Sequence, residues 1–133
     1  MDNAIVVDTD VVSYVIKKDT RAELYRTHLE QRLLVLSFMS VAELYRWAAT
    51  HDWGQPRRNK LRQYIGNYVV HGFNQEMCEV WAQVMASAEK SGRRIECADG
   101  WVAATAVMHS LPLVTHNGRH YEGVEDLTVI CEA

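Results

Sequence analysis

Proline is nearly absent from this chain. Pro56 and Pro112 are the two in 133 residues, and no Gly- or Ser-rich stretch accompanies either. That leaves no place for a flexible interdomain linker. Residues 1–133 therefore read as one domain, long enough to bury a core without staples. Cysteine is scarce too. Cys78, Cys97 and Cys131 lie far apart with no C-x-x-C pair, which argues against a disulfide framework and for reduced thiols. No apolar run approaches the roughly 18 residues that span a bilayer. The start carries Asp2 and no basic segment, so no leader is expected, and the expected location is cytoplasmic, off the membrane. An excess of positive charge is also missing: 14 Lys and Arg stand against 17 Asp and Glu, a net charge of −3. The bulk field does not advertise a nucleic-acid partner, although local patches matter more than totals. Hydrophobic residues make up 48% of the chain and charged residues 23%, which excludes disorder.

What is present is an alternation of short apolar runs and helical patterns. Ala4–Val7 is a continuous apolar run, as expected of a strand buried on both faces. Asp10 reads as the cap of a short helix reaching about Ile16. Thr20-Arg-Ala-Glu23 and Ser40-Val-Ala-Glu43 read as capping boxes opening two further helices. Leu33–Leu36 is a second strand, and Pro56 suits the first turn of a helix running to about Asn67. Val69-Val70 reads as a short strand. Asn74 caps a long helix with Met77, Val80, Trp81, Val84 and Ala88 on one stripe, ended by Ser91-Gly92. Asp99 precedes a helix that is apolar nearly all round. Leu113–Thr115 and Leu127–Ile130 are late strands, with an Asn117-Gly118 turn between them. This order predicts an α/β fold with a parallel sheet and helices on both faces.

In such a sheet ligands bind at the carboxyl ends of the strands. Asp8 falls there after the first strand, and Asn117 after the strand at 113–115. Glu43 lies early in the helix after the second strand, and Asp99 at the start of the apolar helix. If the crossovers are short and right-handed, the four converge on one edge, and three carboxylates with an amide face one cleft. A hard divalent cation offsets the repulsion of such a cluster. The chemistry it suits is metal-assisted hydrolysis of a phosphodiester. Each residue keeps a local alternative: Asp8 and Asp99 as helix caps, Glu43 as the N3 residue of its box, Asn117 as a turn former.

Four segments together resemble a known family. They are V-V-D-T-D-V-V-S-Y from Val6, S-V-A-E-L from Ser40, A-D-G-W-V-A-A-T-A from Ala98 and L-P-L-V-T-H-N-G-R-H-Y-E-G-V-E-D-L from Leu111. Over about residues 4–130 the chain is similar to the PIN-domain ribonucleases, and within them to the VapC-type toxins of toxin–antitoxin pairs. The resemblance implies an α/β/α sandwich around a parallel sheet of four or five strands. It implies a Mg²⁺- or Mn²⁺-dependent endoribonuclease with Asp8, Glu43 and Asp99 as the acidic metal site. It also implies arrest of translation by cutting RNA, often tRNA, a small antitoxin that blocks the cleft, a homodimer and a toxin–antitoxin hetero-oligomer. Two positions depart from the family pattern. Asp10 stands where asparagine is common, and His120-Tyr121 stands where an acid followed by phenylalanine is common. His120 is thus a candidate contact to substrate phosphate, and Glu96 a substitute acid.

Thr9, Arg57, Arg58 and His120 are the candidate substrate contacts. Arg57, Arg58, Lys60 and Arg62 form the densest basic group, with Lys17-Lys18 and Arg93-Arg94 as lesser ones. Trp47, Trp53 and Tyr64 are available for base stacking, and the same stretch suits a partner interface. Two rival readings remain: a haloacid-dehalogenase-like phosphatase using Asp8 as nucleophile and Asp10 as acid/base, and a catalytically inactive binding module on the same fold. His116-x-x-x-His120 has zinc-ligand spacing without a cysteine pair.

Overall fold

The computed structural model describes residues 3–133. Five strands, β1 (Ala4–Val7), β2 (Leu33–Ser37), β3 (Val69–His71), β4 (Leu113–Val114) and β5 (Val129–Ile130), form one sheet in the order β3-β2-β1-β4-β5. Every pairing is parallel. The helices are α1 (Thr9–Lys17), α2 (Arg26–Leu29), α3 (Phe38–Thr50), α4 (Gln55–Ile65), α5 (Gln75–Lys90) and α6 (Cys97–Met108).

The pleat of β1 explains the layers. Ile5 and Val7 point to one face and join a core with Val11 and Val12 of α1, Leu44 and Ala48 of α3, and Leu61 and Ile65 of α4. Ala4 and Val6 point to the other face and join Val84 and Ala88 of α5 with Val102, Ala103 and Ala106 of α6. β2 and β4 divide in the same way: Leu36 and Val114 face the first core, Val35 and Leu113 the second. The sequence expectation of a parallel sheet covered on both faces therefore holds, with five strands.

α6 lies very close to α5. A Cβ on the buried Gly100 would collide with Met85 Sδ and stand 2.9 Å from Trp81 Nε1. Gly100→Ala is expected to cost about 1–3 kcal/mol through overpacking, read as a lower urea midpoint at unchanged m-value.

Three capping expectations are corrected. The cap of α1 is Asp8, whose carboxylate accepts from Thr9 N–H. Asp10 sits inside the first turn. α3 starts before the Ser40–Glu43 box, because the Ser37 hydroxyl at the end of β2 accepts from Met39 N–H at 3.1 Å. Ser40 is then buried inside the helix, and Glu43 lies in its second turn, beyond the reach of an N3 cap. Asp19, not Thr20, caps the next segment. That segment is a 3-10 turn, Thr20–Leu24, broken from α2 at the fully buried Tyr25. Among the described residues no helix is long and apolar enough to cross a membrane.

Candidate active site

Strand order reverses between β1 and β4: the chain builds outward from β1 through β2 to β3, then returns to add β4 and β5 on the other side. Such a switch point opens a crevice at the carboxyl ends of its strands, and Asp8 and Thr115 stand at this one. Asp8 N–H extends the ladder to Val114 C=O at 2.9 Å, so the residue is fixed by the sheet itself.

Asp8 is 7% exposed, and its carboxylate is bonded on both oxygens. Its Oδ1 accepts from Thr9 N–H at 2.8 Å. Its Oδ2 accepts from the Thr115 hydroxyl at 2.7 Å and the Tyr121 hydroxyl at 2.9 Å. Thr115 Oγ1 in turn accepts from Asn117 N–H at 3.1 Å, which aims its own proton at Asp8. Asp99, in the first turn of α6, faces the same tyrosine: the Tyr121 hydroxyl is 3.3 Å from Asp99 Oδ1. His120 Nδ1 lies 3.1 Å from Asp99 Oδ2. Glu43 reaches the group through one hydroxyl. Its Oε1 accepts from Thr9 Oγ1 at 2.7 Å, and Ser40 Oγ is 2.8 Å from the same Thr9 oxygen.

The electrostatics follow from burial. Desolvation, then the Asp10 charge and lastly that of Asp99, push the Asp8 carboxyl up to about 7, against the pull of the Thr115 and Tyr121 hydroxyls. Burial also raises Asp99, opposed by His120 and Tyr121. Burial raises Asp10 against donors from Val11, His116 and Asn117. A buried carboxylate, Asp8, thus stands near two half-buried ones, Asp10 and Asp99, an arrangement common at functional sites.

The structure thus brings together Asp8, Asp99, Thr9, His120 and, at one remove, Glu43. It does not gather three carboxylates and an amide at one point. Among the described residues no three Asp, Glu, His or Cys side chains crowd closely enough to enclose an ion alone. Asn117 turns its side-chain amide to Asp10 Oδ2 at 2.8 Å. Asp10 Oδ2 also takes His116 N–H at 3.0 Å, and its Oδ1 takes Val11 N–H at 2.7 Å. Asp10 is therefore a brace tying the segment after β4 to α1. Both its oxygens are engaged by the chain, which disfavours the acid/base role of a phosphatase. Arg57 and Arg58 stand apart from the acids. The Arg57 guanidinium lies 3.9 Å over the Trp53 ring, and Arg58 Nε donates to Trp53 C=O at 2.7 Å. Glu96 is exposed at the N-cap of α6 with no cap hydrogen bond. His116 bonds the Tyr25 hydroxyl and His120 turns to Asp99, so the suggested zinc pair does not converge. Tyr121 and Thr115 join the site without having been expected from the sequence. The signal for Tyr121 is a tyrosine where the family pattern has phenylalanine: a buried hydroxyl needs a partner.

A PIN domain match covers residues 5–126. The chain belongs to the PIN-domain family. Within that family it is of the VapC ribonuclease type. It is 33% identical over 126 residues to the VapC ribonuclease Y4jK of Sinorhizobium fredii, covering 89% of this chain and 90% of that protein. It is 26% identical to the Haemophilus influenzae ribonuclease VapC2, covering 90% of each. Among solved structures it is similar to FitAcB from Neisseria gonorrhoeae, with a TM-score of 0.76 and 26% identity over 95% of this chain and 96% of that one. It also superposes on VapBC2 from Rickettsia felis, solved bound to a DNA fragment from their promoter. There the TM-score is 0.84 at 17% identity over 98% and 99% of the two chains, a likeness of fold.

Proposed function

We propose that this chain is a Mg²⁺- or Mn²⁺-dependent endoribonuclease, the toxin of a toxin–antitoxin pair, with Asp8 and Asp99 as its metal-holding acids. The observation that carries this reading is the meeting of these two carboxylates, from the first strand and the sixth helix, on the single Tyr121 hydroxyl. Mg²⁺ keeps most of its waters and needs only one or two carboxylates, so a pair of hard oxygen donors, Asp8 buried and Asp99 half-buried, fits it in kind. Bound there, such an ion supplies a water of lowered pKa and neutralises charge on the phosphate. The chain's own part is positional. Thr9 N–H and Thr115 Oγ1 set the plane of the Asp8 carboxylate. Glu43 anchors Thr9 from α3. His120, with its side chain about half exposed, holds Asp99 from the solvent side, where it meets incoming RNA.

The RNA to test first is tRNA, as the VapC resemblance implies. A similarly folded chain from Klebsiella pneumoniae was solved within a toxin–antitoxin complex. As the VapC resemblance implies, a small antitoxin partners this chain, and two copies form a homodimer within the complex. Arg57 belongs to that partner surface rather than to the cleft. It lines a groove in which the basic Lys18 and Lys60 stand with the apolar Val15, Ile16, Trp53 and Leu61. Such a groove fits an amphipathic segment carrying acidic groups.

The test is cleavage of total RNA and of purified tRNA by the isolated chain, with Mg²⁺ and with EDTA. Asp99→Asn is expected to lower cleavage by at least about 100-fold with the fold intact by circular dichroism. In cells, expression should arrest growth, and co-expression of the small protein encoded beside it should relieve the arrest. Cleavage that persists in both EDTA and Asp99→Asn overturns the reading.

A further inference from the structure

The acid chemistry leaves one group without a role: the hydroxyl of Tyr121. The residue is 1% exposed, and its ring packs in the second core with Val102, Ala106 and Leu113. Phenylalanine would fill that space equally well, and burying a hydroxyl is unfavourable unless it is bonded. Its partners among the described residues are Asp8 Oδ2 and Asp99 Oδ1. The hydroxyl therefore serves the two acids rather than the core.

Lone pairs show how. Asp8 Oδ2 takes two hydroxyl donors, Thr115 and Tyr121, and is saturated. Asp8 Oδ1 takes one donor, Thr9 N–H, and keeps a lone pair. The single Tyr121 proton lies between Asp8 Oδ2 at 2.9 Å and the more distant Asp99 Oδ1 at 3.3 Å, so Asp99 Oδ1 keeps lone-pair capacity, as does Oδ2 beside His120. The ring is held rigidly by the core on which α6 and β4 also pack, so one fixed oxygen sets the rotation of both carboxylates.

We propose that Tyr121 is a positioning residue that locks Asp8 and Asp99 into register, so that their remaining lone pairs converge on one shared divalent cation. This rests on the metal-dependent reading above. Partners of this kind, one bond removed from the metal, typically change metal affinity by roughly 10- to 100-fold.

The experiment is a Mn²⁺ titration of the full chain followed by electron paramagnetic resonance, without RNA, for the wild type, Tyr121→Phe and Tyr68→Phe. Tyr68 is the control, since its buried hydroxyl bonds that of Tyr64 at 2.9 Å, away from the acids. Tyr121→Phe should weaken Mn²⁺ binding at least about tenfold, with Tyr68→Phe unchanged. Equal affinity in Tyr121→Phe and wild type overturns the role of Tyr121 and leaves the nuclease reading standing. A wild type that binds no Mn²⁺ overturns both. Should Tyr121→Phe fail to fold, wild type labelled with 3-fluorotyrosine decides by fluorine NMR. One of the six tyrosine resonances must move on adding Mg²⁺, and no movement overturns the proposal.

Discussion

Asp8→Asn is expected to make the metal-free protein more stable at neutral pH while abolishing RNA cleavage. In the folded chain the Asp8 carboxyl is pushed up to about 7, chiefly by burial and then by the Asp10 charge, from an ordinary value of 3.8. Between those two values the folded state holds more protons than the unfolded state, so stability falls as pH rises through that window. The loss is complete above about pH 7. Each tenfold gain in proton affinity on folding corresponds to about 1.36 kcal/mol, so the loss is on the order of 2–4 kcal/mol. Asparagine carries no charge and removes the loss. It still accepts from Thr9 N–H, and the Thr115 and Tyr121 hydroxyls can turn to accept from its amide. Urea melts in EDTA should therefore show the variant ahead by a few kcal/mol at pH 8 and level with wild type below about pH 4. Adding Mg²⁺ should stabilise the wild type and leave the variant unmoved, since a ligand that binds only the folded state adds stability by mass action. Equal melts at pH 8 would mean that Asp8 carries no buried-charge cost. A site that weakens its own fold for the sake of an ion is the trade expected where function, not packing, fixes a residue.

The strand pattern and the switch-point rule are enough to place Asp8 and Asp99 near one another, because both depend on topology and on runs of Val, Ile and Leu that only a two-sided sheet can bury. The first turn of α1 is less legible. Asp8 and Asp10 both stand at the junction of an apolar run and a helix, and either can cap. The choice is made by the ladder bond from Asp8 N–H to Val114, which no local pattern encodes. The box at Ser40–Glu43 misleads in the same way. Ser37 ends the buried strand with a hydroxyl and captures the cap three residues earlier. Asn117 does lie on the expected edge, but its side-chain amide donates to a different acid, Asp10, which local spacing does not distinguish from Asp8. Tyr121 is hard to single out because its neighbour His120 is the more conspicuous departure, standing where an acid is common. The hydroxyl one residue on is what meets both carboxylates.

The displaced box gives Glu43 its significance. With the helix starting at Phe38, Glu43 is free of any capping duty, and its bonding partner is Thr9 Oγ1 at 2.7 Å. Thr9 is also the residue whose N–H holds Asp8 Oδ1. Glu43→Gln keeps the length and an oxygen able to accept from Thr9, so folding stability should stay within about 0.5 kcal/mol of wild type. Cleavage should fall by about 10- to 100-fold, the loss expected when a group that orients or joins a metal's ligands forfeits its charge. Rate against Mg²⁺ concentration separates the two possibilities for where that loss lies. A shift of the Mg²⁺ midpoint assigns Glu43 to holding the ion, and a lowered maximum rate at saturating Mg²⁺ assigns it to the attacking water or the phosphate. A double-mutant cycle with Thr9→Val then tests the path. If Glu43 acts through Thr9, the double variant should cost little more than the worse single variant, because residues in one hydrogen-bonded chain do not add. Full additivity would place Glu43 in direct contact with the ion or the substrate. A fall in stability with cleavage preserved would return it to a structural role in α3.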